Sequence, residues 1–292
     1  MRPALRADAS PGPLTGMRDI PPSRHNIDRF QNTVYEHYRA QGRNDLPWRG
    51  VSDPYRILVS EIMLQQTQVD RVREKFERFV ERFPDFVALA GAQLRDVLAA
   101  WQGLGYNRRA IALKQAADKV VHEWRGSLPP DPDVLATLPG IGRNTACAIL
   151  AYAFNQPVVY VETNIRTVFI HHFFEGRDTV PDREILPLVE ATLDREHPRE
   201  WYSALMDYGT MLKKAHGSIN PRSAHYRKQS RFEGSNRQAR GKILRTLLGS
   251  PGCNAAELAD RLESPAERVE KNLAKLVEEG LVRESAGRYE IA

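Results

Sequence analysis

The sequence predicts an all-α body followed by a winged helix-turn-helix module, and three observations carry that prediction. Apolar residues recur at helical spacings from His25 to Leu212. The only strand candidate in that stretch, Val158-Val159-Tyr160-Val161, is too short to make a sheet alone. After residue 242, three short helical patterns give way to an alternating run. The chain has 292 residues, enough for about two domains at roughly 150 residues each. Its 8% aromatics and lack of a glycine period exclude a collagen-like or wholly disordered polymer.

Residues 1–24 hold five prolines and no apolar period, which predicts a flexible arm. The body follows over 25–212. Asp53-Pro54 is a helix start, with Asp as N-cap and Pro at the first helical position. Beyond it Leu58, Ile62, Val69, Val72, Phe76, Phe79 and Phe83 keep a helical period, with a break expected at Gln65–Gln68. Further helices are expected near 92–101, 107–125, 133–137, 143–154, 163–174, 182–196 and 198–213.

Charge then separates one stretch from the rest. Lys213–Lys242 carries nine Lys or Arg against one acid, +8, so with a total of +5 the remaining 262 residues sum to −3. Interleaved His225, Tyr226, Gln229, Phe232 and Asn236 suit phosphate contact better than a bare spacer, although a solvated basic linker reads similarly. Residues 243–292 form the module. Helices are expected at 237–248, 255–262 and 265–279, the last two opened by capping boxes Asn254…Glu257 and Ser264…Glu267. Leu281–Ile291 alternates around Ala286-Gly287 as a hairpin. With seven basic and nine acidic residues from Ile243 to Ala292, the module is a poor autonomous DNA reader. Contact with DNA and contact with the body both stay open.

Two cysteines, Cys147 and Cys253, permit neither a disulfide framework nor a four-thiolate site. No membrane span or signal core is apparent, and a cytoplasmic protein is expected, nucleoid-associated in a prokaryote.

Three local patterns could carry chemistry. Leu138-Pro-Gly140-Ile-Gly142-Arg143 sits between helical patterns and can turn backbone N–H groups outward at a helix N-terminus to bind phosphate, although a plain turn would look alike in isolation. Glu61 lies in the apolar run Ile57–Gln66; desolvated there it could hold a proton as a general acid, or it could occupy a solvated stripe. Gln65, Gln66 and Gln68 could reach unpaired base edges. Glu162 stands at a helix entry, where a carboxylate complements the dipole.

From Leu46 to Leu212 the chain resembles the helix-hairpin-helix DNA glycosylases (the HhH-GPD superfamily), and within them the MutY-type adenine glycosylases. The resemblance lies in Leu46-Pro-Trp-Arg49, Asp53-Pro-Tyr55, Val59-Ser-Glu61-Ile-Met-Leu-Gln-Gln-Thr-Gln-Val69, Trp101-Gln-Gly-Leu-Gly-Tyr106, the hairpin Leu138–Thr145 and Leu205-Met-Asp-Tyr-Gly209. It implies a two-lobed all-α body that grips double-stranded DNA containing a mismatched or damaged base and flips the target out. Glu61 matches the general acid that protonates the leaving base, and Gly140, Gly142, Arg143, Asn144 and Thr145 match the phosphate anchor.

Departures from the family pattern follow. Where the family has a catalytic Asp, this chain has Glu162, one methylene longer. Asn144 replaces the Schiff-base Lys of endonuclease III-like relatives, so a monofunctional enzyme without lyase chemistry is expected. Asn107 follows Tyr106 in place of a second aromatic. Most relatives hold an iron–sulfur cluster just after the body, but Lys214–Ser230 has no cysteine. No cofactor or metal is therefore expected, and Arg222, Tyr226, Arg227 and Lys228 are expected to meet the DNA backbone instead. The expected function is a monomeric DNA glycosylase of base excision repair acting first on adenine. Excision of a mispaired pyrimidine or other modified base, and a lesion-binding protein without chemistry, are the alternatives.

Overall fold

The computed structural model describes residues 22–226, 228 and 231–292. Helices among them are α1 (Arg24–Gln41), α2 (Pro54–Leu64), α3 (Val69–Arg82), α4 (Phe86–Gly91), α5 (Leu94–Trp101), α6 (Arg108–Trp124), α7 (Pro132–Leu135), α8 (Arg143–Phe154), α9 (Thr163–Phe173), α10 (Asp182–Thr192), α11 (Pro198–His216), α12 (Asn236–Gly249), α13 (Ala255–Leu262) and α14 (Ala266–Glu278). Strands β1 (Val282–Ser285) and β2 (Arg288–Ile291) close the chain. The all-α body and C-terminal winged module expected from sequence are the observed fold. Two compact units result, Met1–Gly50 with Cys147–Lys228, and Val51–Ala146 with Gln229–Ala292. The expected arm falls almost wholly outside the described residues.

In the first unit the core is aromatic. Phe30 of α1 is fully buried, with ring centroids 5.3 Å from Phe169 of α9 and 5.9 Å from Trp201 of α11. Truncating such a residue to Ala costs about 3–5 kcal/mol. Tyr35 donates to Asp194 Oδ2 at 2.7 Å. Asp194 also explains why α10 stops at Thr192 instead of continuing to 196, because its side chain accepts from the amides of Glu196 and His197 at 3.0 and 2.9 Å, making a turn into α11. Val158–Val161 forms no strand. Among the described residues of this unit no strand lies to pair with it, and the Tyr202 hydroxyl donates to the Val158 carbonyl at 2.6 Å.

The second unit opens as its sequence signals require. Asp53 accepts from Arg56 N at 2.8 Å as the N-cap of α2, with Pro54 at the first position. The expected 92–101 helix is preceded by a separate short one, α4, capped by Asp85. Phe79 and Trp101 pack edge to face at 5.8 Å. In the winged module the Asn254…Glu257 capping box forms with both hydrogen bonds. The Ser264…Glu267 box does not. Glu263 takes a left-handed conformation, Ser264 N donates back to Ala259 O at 3.0 Å, and Pro265 becomes the N-cap of α14. The hairpin pairs Val282 with Ile291 and Ser285 with Arg288, and its turn residues Ala286 and Gly287 both have positive φ.

Candidate active site

Glu61 lies half-buried on α2, three residues from the helix end. That end is closed by Arg109, a buried residue of α6. Its Nη1 donates to the carbonyls of Ile62, Met63 and Gln65 at 2.8, 3.0 and 2.5 Å. Its Nη2 reaches Thr67 Oγ1 at 3.0 Å and the carbonyl of Gly105 at 3.1 Å. One guanidinium thus satisfies the orphan carbonyls of α2 and joins the Gln65–Gln68 break to the Gly103–Tyr106 turn. Burial pulls its pKa down to about 10, so it stays charged at neutral pH. Sequence inspection missed Arg109, because a basic residue beside Arg108 looks like surface charge.

Both segments tied by Arg109 are conformationally strained. Gln66 and Tyr106 have φ of 55° and 48°, the left-handed region that non-glycine residues seldom adopt. Asn107 is the N-cap of α6 without using its side chain as a cap. Gln65 Nε2 donates to Gly140 O at 3.1 Å and lies 3.5 Å from Thr145 Oγ1, so the Gln break packs on the hairpin turn. Gly140 has φ of 77°, and a Cβ there would stand 2.8 Å from that of Ala112 on α6. Only glycine fits. Gly142, Arg143 and Asn144 are exposed at the start of α8, with Arg143 ion-paired to Asp133.

Glu162 belongs to the first unit as the N-cap of α9. Its Oε1 accepts from the amides of Asn164 and Ile165, the latter at 2.9 Å. Burial pushes its carboxyl pKa up; the two amides and the Lys213 ammonium pull the other way. Lys213 donates to Asn164 Oδ1 at 2.6 Å, and burial lowers its own pKa. This first residue of the basic stretch therefore turns inward. The motif Leu205–Gly209 builds the support. Asp207 receives Arg43 Nε at 2.8 Å and Arg49 Nη2 at 2.9 Å, while a Cβ on Gly209 would strike the Asn164 backbone.

The following loop, where the resemblance would put an iron–sulfur cluster, lacks thiolates and so does not fit one. Protein contacts hold it. Val180 N donates to Arg222 O at 2.8 Å, Ala224 N to Val180 O at 3.0 Å, and Thr167 Oγ1 to Asn220 Oδ1 at 2.9 Å. The Arg222 guanidinium turns onto the carbonyls of Phe174 and, at 2.8 Å, Arg177. Tyr226 and Lys228 are exposed, and Arg227 lies outside the described residues. Among the described residues no group of three or more His, Cys, Asp or Glu could hold a metal ion. No helix among them is long and apolar enough to cross a membrane.

Residues 59–186 match the family described as HhH-GPD superfamily base excision DNA repair protein, and 237–283 match the winged helix-turn-helix DNA-binding family. An adenine DNA glycosylase of Mycolicibacterium smegmatis is 38% identical over 279 residues, covering 88% of this chain and 93% of that one. One from Mycobacterium tuberculosis is 36% identical over 229 residues, covering 71% and 75%. The mouse (Mus musculus) enzyme of the same name is 32% identical, covering 81% of this chain and 47% of its own. Among solved structures, a thermostable thymine-DNA glycosylase shares the fold at a TM-score of 0.57 and 23% identity, over 64% of this chain and 87% of that one.

Proposed function

Because the chain belongs to the HhH-GPD superfamily of base excision DNA repair proteins, we propose that this DNA glycosylase is monofunctional and excises a mispaired or damaged base, adenine first. The observation that carries the proposal is Glu61 in its string Val59–Val69, at the end of α2 that Arg109 holds, in a chain 38% identical to an adenine DNA glycosylase. The target base leaves the stack, and Glu61 gives a proton to a ring nitrogen of the base. The C1′–N bond breaks with its electrons going to the base. Glu162, whose Oε1 holds the two cap bonds, is the proposed carboxylate that offsets the positive charge growing on the sugar. Water then adds to C1′ and gives its proton to the Glu61 carboxylate, which restores the acid.

Asn144 supplies no amine, so no Schiff base forms with the sugar at that position. The hairpin at Gly140–Thr145 and the exposed Tyr226 and Lys228 are the proposed phosphate contacts.

The test is a gel assay on duplexes with A opposite oxidised guanine, A opposite G, T or U opposite G, and hypoxanthine. Strand scission on the adenine duplexes only after alkali, and no adduct on borohydride treatment, is the expected result. Exclusive cutting at T or U would move the substrate to pyrimidines. Binding without scission on any duplex, unchanged in Glu61→Gln, would leave a lesion-binding protein.

A further inference from the structure

We infer that Lys213 is a positioning residue for the proposed reaction: tethered to Asn164 in the first turn of α9, its ammonium supplies the positive charge that keeps the Glu162 carboxyl ionised.

The geometry lies within the first unit. Lys213 belongs to the last turn of α11, which packs on α9. Its Nζ donates to Asn164 Oδ1 at 2.6 Å, and Asn164 Nδ2 lies 3.7 Å from Met206 Sδ on the same helix. Both polar ends of that amide are therefore held from α11. The backbone of Asn164 in turn donates to Glu162 Oε1, as does Ile165 N at 2.9 Å. One residue thus joins the ammonium to the carboxyl.

That place is unfavourable for a lysine by itself. Lys214 and His216, both exposed in the last turn of α11, already complement the negative end of its dipole. Lys213 turns instead to the start of α9, where the positive end of a helix dipole, half-burial and the Arg166 guanidinium all oppose an ammonium. The group that favours it there is Glu162.

Two cations act on Glu162 in return, Lys213 and Arg166, and they are not equivalent. Arg166 is committed to Asp182 of α10, its Nε and Nη2 each 2.7 Å from one carboxylate oxygen, and His225 stands 3.9 Å from the same carboxylate. Lys213 bonds a neutral amide, so its charge is not cancelled by its own partner. A carboxyl offsets charge on a sugar only when ionised, and burial of Glu162 works against that. An ammonium that bonds the neighbouring amide counters the burial without taking up a carboxyl oxygen.

The inference rests on the glycosylase reading for what Glu162 does, and its test has one arm that needs no excision. In the first arm, single-turnover excision by the full chain is followed from pH 5 to pH 9 on whichever duplex the parent cuts fastest. Lys213→Met should move the acid limb of the profile up by about one pH unit, the low end of what an adjacent opposite charge supplies. Its deficit against the parent should then be about tenfold greater below both limbs than above them. Lys213→Arg keeps the charge and should keep the parent's limb. A side chain that only packed would lower excision by one factor at every pH, and that result, or an Arg variant that behaves like Met, would overturn the inference.

The second arm is a double-mutant cycle in urea melts at neutral pH. Lys213→Met and Glu162→Gln should be coupled by about fivefold in the unfolding equilibrium constant, and additive effects would overturn the inference. Should Lys213→Met not fold, Lys213→Gln replaces it in both arms. A parent chain that cuts no duplex at any pH, with the coupling present, would remove the glycosylase reading alone.

Discussion

Gly209 and Asn164 approach so closely that a Cβ on Gly209 would stand 2.5 Å from the Asn164 carbonyl oxygen. The obstacle is backbone at the first turn of α9, the turn whose amides hold Glu162. Gly209→Ala must push α11 away from α9 or shift that turn. Its expected outcome is a loss of about 1–3 kcal/mol in stability by denaturant melts. Single-turnover excision should fall roughly 10- to 100-fold, because misplacement near 1 Å is costly to a catalytic group.

Glu162→Gln separates the cap from the charge. The amide oxygen still accepts from Asn164 N and Ile165 N, so the melting temperature should stay within about 1 kcal/mol equivalent of the parent. Excision should drop by roughly 100-fold or more, with DNA affinity retained, since the charge proposed to offset the sugar cation is gone. Equal excision by the two proteins would remove Glu162 from the chemistry.

Arg109→Lys keeps the charge but loses the planar fork. A single ammonium cannot reach carbonyls on both the 62–65 and 104–105 segments, so buried acceptors are left unmet. A destabilisation of about 2–4 kcal/mol is expected, and limited proteolysis should cut first near Gln66 or Tyr106.

The pH dependence of stability has a contribution from His172. It is 3% exposed with Nε2 3.0 Å from the Tyr208 hydroxyl, and burial, with the nearby His171 second, lowers its pKa from 6.5 to about 3. A histidine held neutral in the fold contributes stability that is present above the unfolded value of 6.5 and is lost as pH falls from there toward 3. Between pH 7.5 and pH 5 the loss is roughly 2 kcal/mol. In His172→Leu the fall over that interval should be smaller by about this amount, measured by urea melts at each pH.

The helices were legible because their signals are local. Asp53-Pro54, Asn254…Glu257 and Ala286-Gly287 each set a start or a turn within four residues, and each stands where expected. Failures arose where a local signal met a neighbouring competitor or lacked a distant partner. Ser264 could not cap α14 once Glu263 had closed α13, and Val158–Val161 had no partner strand among the described residues. Of the site, Glu61, Glu162 and the hairpin glycines are visible as types in a pattern. Arg109 and Lys213 are not, since nothing near them in sequence shows that one bonds to carbonyls more than forty residues away and the other turns to Asn164.

The loop after α11 is moored by main-chain carbonyls, one guanidinium and an asparagine amide. A mooring of that kind has no oxidation state. It is made of the chain's own groups and is complete as soon as the surrounding helices have packed.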